Sequence, residues 1–106
     1  MNLIDEIQPA MIHDTYRVVE VNAALAQLLR CEVDQLIDVS IFDFIGSEDL
    51  KGLARWRMVV LRDKHHLPDV RYLIRRCDGS LFWALVSTTL IEDELYVSKF
   101  KFLYTD

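Results

Sequence analysis

Between residues 70 and 90 the chain changes its pattern in mid-stretch. From Val70 to Cys77, Arg71, Leu73, Arg75 and Cys77 interleave with Tyr72, Ile74 and Arg76. That period of two belongs to a strand with one wetter face. After Asp78-Gly79 come Leu81, Phe82, Trp83, Ala84, Leu85 and Val86, apolar at every position. Such a run, continued to Leu90, predicts a second strand covered on both faces. Leu81, Trp83 and Leu85 share one face, and Phe82, Ala84 and Val86 the other. Asp-Gly is the preferred pair for a two-residue hairpin turn with both residues at positive φ. Beyond the polar Glu92-Asp93-Glu94, Leu95 to Tyr104 reads as a last strand. Phe100, Phe102 and Tyr104 lie on one side of it, and Lys99, Lys101 and Leu103 on the other.

The N-terminal half mixes both periods. Asn2 to Ile7 predicts a short helical turn ended by Pro9. Met11 to Thr15 and Arg17 to Val21 predict strands, the second favoured by the branched Val18, Val19 and Val21. Asn22 then precedes AALAQLLR, where its side-chain oxygen can cap a helix of good helix formers. Val33 to Ile37 and Ser40 to Ile45 predict two more short turns, with Gly46 ending the second. Ser47 is the candidate cap of the longest helix, Glu48 to about Arg62. Glu48 and Asp49 suit its positive end, and Pro68 stops the chain from continuing. Leu50, Leu53, Ala54, Trp56, Val60 and Leu61 gather on one side of that helix, with Arg57 among them. Helices in the middle and strands at both ends predict an α+β domain, its helices packed on one face of an antiparallel sheet.

Composition narrows the functional classes. A chain of 106 residues, 52% of them hydrophobic, supports one domain with one core. The net charge of −5, with no basic run interleaved with aromatics, argues against nucleic acid. No stretch reaches membrane-spanning length, and the first twelve residues have no leader pattern. The expectation is a cytoplasmic protein without a membrane partner, with Cys31 and Cys77 as free thiols. No phosphate loop, nucleophile elbow or zinc-protease motif occurs. Asp43, Glu48 and Asp49 are an acidic group, the last two already explained as helix-start acids. The chain is expected not to be an enzyme.

The order of these features resembles the PAS domain, the sensory module of many signalling proteins. The resembling residues are Arg17 to Asn22 with Ala23-Ala24-Leu25, then Asp43-Phe44-Ile45, Glu48-Asp49, Cys77-Asp78-Gly79-Ser80 and Trp83. Tyr16-Arg17 stands where the family usually has a Gly before the strand. The resemblance implies a five-stranded antiparallel sheet, with short helices and one longer helix enclosing a cavity on one face. It divides the chain into an N-terminal cap or dimerisation segment, 1–10, and a sensor domain, 11–106. Phe102 to Asp106 resembles the entry to a signalling linker, implying an output domain in the same polypeptide. Expected pocket residues are Phe44, Trp56, Arg57, Val60, Trp83 and Leu85. Arg57 either grips a ligand carboxylate or phosphate, or forms a salt bridge to a protein acid, or snorkels to the rim.

The cofactor is unknown from the sequence, with none favoured over flavin or haem. Haem-binding members use a histidine on the long helix, whereas His65 and His66 fall at its end and His13 in the first strand. Light-sensing members bond flavin through an Asn-Cys-Arg-Phe-Leu motif absent here, although Trp56 or Trp83 could flank a non-covalent flavin. The implied function is a sensory and dimerisation domain of a histidine kinase, diguanylate cyclase or phosphodiesterase, a homodimer with a small ligand in its cavity. Two alternatives stand beside it: a ligandless homodimerisation module, and a flavin- or haem-bound redox or gas sensor.

Overall fold

A computed structural model describes residues 7–44 and 69–106. The expectations for the first six residues and for the long helix, with Trp56, Arg57 and Val60, lie outside the described residues. The strands β1 (Ala10–His13), β2 (Val18–Val21), β3 (Val70–Arg75), β4 (Leu81–Glu92) and β5 (Leu95–Thr105) form one sheet in the order β2-β1-β5-β4-β3. Every neighbouring pair is antiparallel. Helices α1 (Ala23–Leu29) and α2 (Val33–Leu36) and a 3₁₀ turn (Ile41–Phe44) lie between β2 and β3 in the chain. Their Leu25, Leu29, Leu36, Ile41 and Phe44 share one core with Met11, Tyr72, Ile74, Phe82, Ala84, Val86, Tyr96 and Phe100 from the sheet. This is the α+β arrangement expected from the pattern.

Local hydrogen bonds explain the element ends. The Asp14 carboxylate accepts the Tyr16 and Arg17 amides, both at 2.7 Å, which turns β1 into β2. Those bonds hold its carboxyl below the usual range. Asn22 caps α1 by accepting from the Leu25 amide at 2.9 Å, as its position predicts. The same oxygen accepts the Ala10 amide at 3.1 Å, and the side-chain amide donates to the Gln8 carbonyl at 2.7 Å. One side chain therefore starts a helix and ties it to the first strand. Arg30, at φ 56°, ends α1 in the left-handed region. The Gln35 side chain accepts the Glu32 amide at 2.8 Å at the start of α2.

The β3–β4 connection corrects two expectations. The loop is not the two-residue Asp78-Gly79 turn. The Gly79 amide donates to the Arg76 carbonyl at 3.0 Å, the Arg76 amide donates to Ser80 at 2.9 Å, and only Gly79 takes positive φ, 86°. Cys77, Asp78 and Gly79 thus form a three-residue loop with a glycine at the left-handed position. A two-residue turn would set Ile74 opposite Trp83 and Tyr72 opposite Leu85. The extra residue sets Ile74 opposite Phe82 and Tyr72 opposite Ala84. One residue of loop length reverses the faces of β4.

The second correction concerns the cysteines. They are not free: Cys31 and Cys77 form a disulfide, with Cα atoms 5.4 Å apart. Their separation of 46 residues gave no local sign of it. Pairing follows from the docking of α1 on the hairpin, where the Cys77 amide donates to the Leu29 carbonyl at 3.0 Å and Arg76 Nε to the Leu28 carbonyl at 2.9 Å.

In β5, Phe100 and Phe102 stay on the core side, opposite Val86 and Ala84. Tyr104 does not follow them. A register shift between Trp83 and Ala84 leaves Leu103 unpaired and sets Tyr104 opposite Trp83, on the outer face.

Candidate functional site

The alternation of β3 and β4 places Tyr72, Ile74 and Val86 on the helix-facing side of the sheet, and β1 and β5 add Met11 and Phe100 to that side. The 3₁₀ turn sets Ile41 and Phe44 over them. These seven residues line a cavity in which about 20 Å³ is open to the centre of a water-sized molecule. One water needs about 10–15 Å³ by that measure. Among the described residues the lining carries no charged side chain, and the Tyr72 hydroxyl is its one polar side-chain group. Such a space suits a small apolar molecule, held by contact area rather than by charge.

Of the residues expected here from sequence, Phe44 lines the cavity. Trp83 and Leu85 do not: they project from the opposite face, because the three-residue loop reverses β4. Trp56, Arg57 and Val60 lie outside the described residues. Met11, Ile41, Tyr72, Ile74, Val86 and Phe100 were missed. The signal that could have found three of them is the wet-edge pattern of β3: Arg71 and Arg75 point out, so Tyr72 and Ile74 point in, and a three-residue hairpin puts Val86 on the same side.

Beside the cavity floor runs a buried polar chain. His13 and Ser98 have no exposed surface. His13 Nε2 lies 2.7 Å from Ser98 Oγ, which lies 2.8 Å from Thr88 Oγ1. His13 Nδ1 donates to the Asp14 carbonyl oxygen at 2.8 Å, which makes Nε2 the acceptor for the Ser98 hydroxyl. The imidazole also stacks on Tyr96, centroids 5.5 Å apart. Burial pushes the His13 pKa down to about 4, against the smaller opposing pull of Asp14. The imidazole is therefore neutral near pH 7. With both ring nitrogens engaged, His13 does not fit a haem ligand. The cysteines, paired at the hairpin loop, do not fit a flavin-bonding thiol. Among the described residues no cluster of His, Cys, Asp and Glu could hold a metal ion.

The outer face is polar at its edges and aromatic at one end. The Arg71 guanidinium sits over the Trp83 ring, 5.3 Å from its centroid, and Arg71 donates to the Tyr104 hydroxyl at 3.3 Å. Trp83 Nε1 donates to Asp106 at 3.2 Å. Leu81, Trp83 and Leu85 are half-buried, and Tyr104 is 48% exposed. The all-apolar run of β4 is thus fully dry on its helix side and only partly covered on the other.

No helix among the described residues is long and apolar enough to cross a membrane. Similar folds occur in proteins of several kinds. A LOV domain from the blue-light-activated histidine kinase of Erythrobacter litoralis superposes with a TM-score of 0.76 at 18% identity, over 92% of this chain and 97% of that one. The PAS domain of the fruit-fly ELK potassium channel gives 0.78 at 13% identity, over 92% and 87%. The PAS domain of a LuxR-family transcriptional regulator from Burkholderia thailandensis, solved in complex with ethanol, gives 0.70 at 18% identity, over 91% and 88%. At these identities the likeness is one of fold. No curated protein matches the sequence. The family model of the PAS domain matches residues 8–105, nearly the whole length, and the sheet order, the helical layer and the cavity between them agree with it: this chain belongs to the PAS domain family.

Proposed function

We propose that the chain is the non-catalytic sensory domain of a larger cytoplasmic signalling protein, a kinase or cyclic-dinucleotide enzyme, and that a small apolar molecule in the Met11–Ile41–Phe44–Tyr72–Ile74–Val86–Phe100 cavity is its signal. The observation that carries this reading is the lining itself: among the described residues, seven apolar or aromatic side chains, drawn from the sheet and the helical layer, around a space larger than one water. A ligand there touches both layers at once. Its binding energy can then shift the sheet relative to the helices, and β5, which leads to the C-terminal residues, carries the shift onward.

The ethanol in the Burkholderia relative suggests the probe. Straight-chain alcohols from ethanol to hexanol, titrated into the protein and followed by amide chemical shifts, should give saturable changes at cavity residues. Affinity should rise with chain length until the space is full. Val86→Phe fills the space from the floor and should abolish saturation while leaving the remaining spectrum folded. Shifts that never saturate, or that persist in Val86→Phe, sink the reading.

A second reading is favoured by the small size of the cavity together with the half-covered aromatic outer face. In it the domain binds no ligand and works by pairing with a second copy through Trp83, Leu85 and Tyr104. Light scattering of the wild type against Trp83→Ala separates the two. A dimer lost in the variant supports pairing through that face, and a wild-type monomer removes it.

A further inference from the structure

We infer that the Cys31–Cys77 pair is a reversible thiol–disulfide exchange site for a low-molecular-weight thiol such as glutathione, distinct from the cavity and independent of what the cavity binds. Cys77 is exposed at the start of the hairpin loop, whereas Cys31 is half-buried and packs against the core. The two sulfurs are therefore unequal: a dissolved thiolate reaches the Cys77 sulfur first. Attack there forms a mixed disulfide on Cys77, breaks the Cys31–Cys77 bond and leaves Cys31 as the thiolate, which takes a proton from water. A second thiolate attacks the external sulfur of the mixed disulfide. It releases the small-molecule disulfide and leaves Cys77 as a thiolate, which is protonated in turn. The protein gains two electrons and two protons, and two small thiols are oxidised. The Cys31 sulfur lies 3.3 Å from the Leu29 carbonyl oxygen, so the thiol released there has an acceptor in place.

Reversibility follows from what else holds the junction. Arg76 Nε donates to the Leu28 carbonyl at 2.9 Å, the Cys77 amide to the Leu29 carbonyl at 3.0 Å, and Arg30 pairs with Asp78 at 2.7 Å. The Ser80 hydroxyl, and then Arg30, hold the Asp78 carboxyl well below the usual range, so this pairing is charged at any ordinary pH. None of these contacts needs the sulfur–sulfur bond. In the reduced state they keep the two thiols side by side, and closure is an intramolecular step at high effective concentration. What reduction does remove is the single covalent tie between the end of α1 and the β3–β4 loop, so the helical layer can move against the sheet more easily. With only two cysteines in the chain, no other disulfide competes.

The full chain, equilibrated in buffers of varied reduced-to-oxidised glutathione ratio, acid-quenched, alkylated and weighed intact, tests this. The fraction carrying two alkyl groups should follow the ratio smoothly, with an unchanged far-ultraviolet circular dichroism spectrum. In oxidised glutathione, Cys31→Ser should take up one glutathione on Cys77 several-fold faster than Cys77→Ser takes it up on Cys31. Three results overturn the inference: a disulfide that survives excess reduced glutathione until the chain is unfolded, a reduced chain that loses its fold, or equal rates in the two variants.

Discussion

Acidification probes the buried polar chain through His13. The imidazole has no exposed surface, and its pKa falls from 6.5 to about 4 on folding. A histidine with a depressed pKa is neutral in the folded chain and protonates more readily once unfolded. Its contribution is complete above pH 6.5 and is lost as the pH falls towards 4, because over that interval the unfolded chain binds the extra proton. At about 1.4 kcal/mol per pH unit, the loss by pH 4 is about 3 kcal/mol. That is a large share of a total of about 5–15 kcal/mol for a domain of ordinary stability. Urea unfolding followed by tryptophan fluorescence at pH 7, 6, 5 and 4.5, in wild type and His13→Gln, measures it. Glutamine has no proton to gain, so the wild-type stability should fall towards that of the variant as the pH drops. Subtracting the two curves cancels the carboxylates remote from the imidazole, and Asp14 and Asp78, held below the usual range, have their own losses at still lower pH. A difference between the curves that stays flat from pH 7 to 4.5 would refute the assignment of a neutral, buried His13.

Other perturbations test other joints of the fold. Asn22→Ala removes the α1 cap and leaves the buried Ala10 amide without its Asn22 acceptor; the expected loss is about 2–3 kcal/mol in urea unfolding, more than a cap alone. Cys31→Ser with Cys77→Ser opens a 46-residue loop in the unfolded chain and should cost up to about 4 kcal/mol, an effect that added reductant reproduces in the wild type. Gly79→Ala meets no atom within 4 Å of the new methyl, so its cost is backbone strain at φ 86°, about 1 kcal/mol, read as a shift in melting temperature. Phe82→Ala empties a fully buried site beneath Arg76, whose guanidinium lies 4.4 Å from the ring centroid, and should cost about 3–5 kcal/mol by calorimetry.

Among the described residues, the sequence by itself determined the elements and their class. Each rests on interactions within a few residues: the Asn22 side chain on the first turn of α1, the period-two pattern of β3, the branched residues of β2, the acidic turn before β5. The order of those signals was enough to recognise the family. What only the tertiary structure decided is which way the strands face and what meets across the fold. Loop length at Cys77–Gly79 set β4 one residue away from the pairing that Asp-Gly favours, and so took Trp83 and Leu85 out of the cavity and put Val86 in. The shift near Trp83 turned Tyr104 away from Phe100 and Phe102. The Cys31–Cys77 bond, the His13–Ser98–Thr88 chain and the cavity all join residues far apart in the chain, and such meetings are set by the packing of helical layer on sheet. A pattern of period two says that a strand has two faces. It takes the partner strand and the covering layer to say which face is dry.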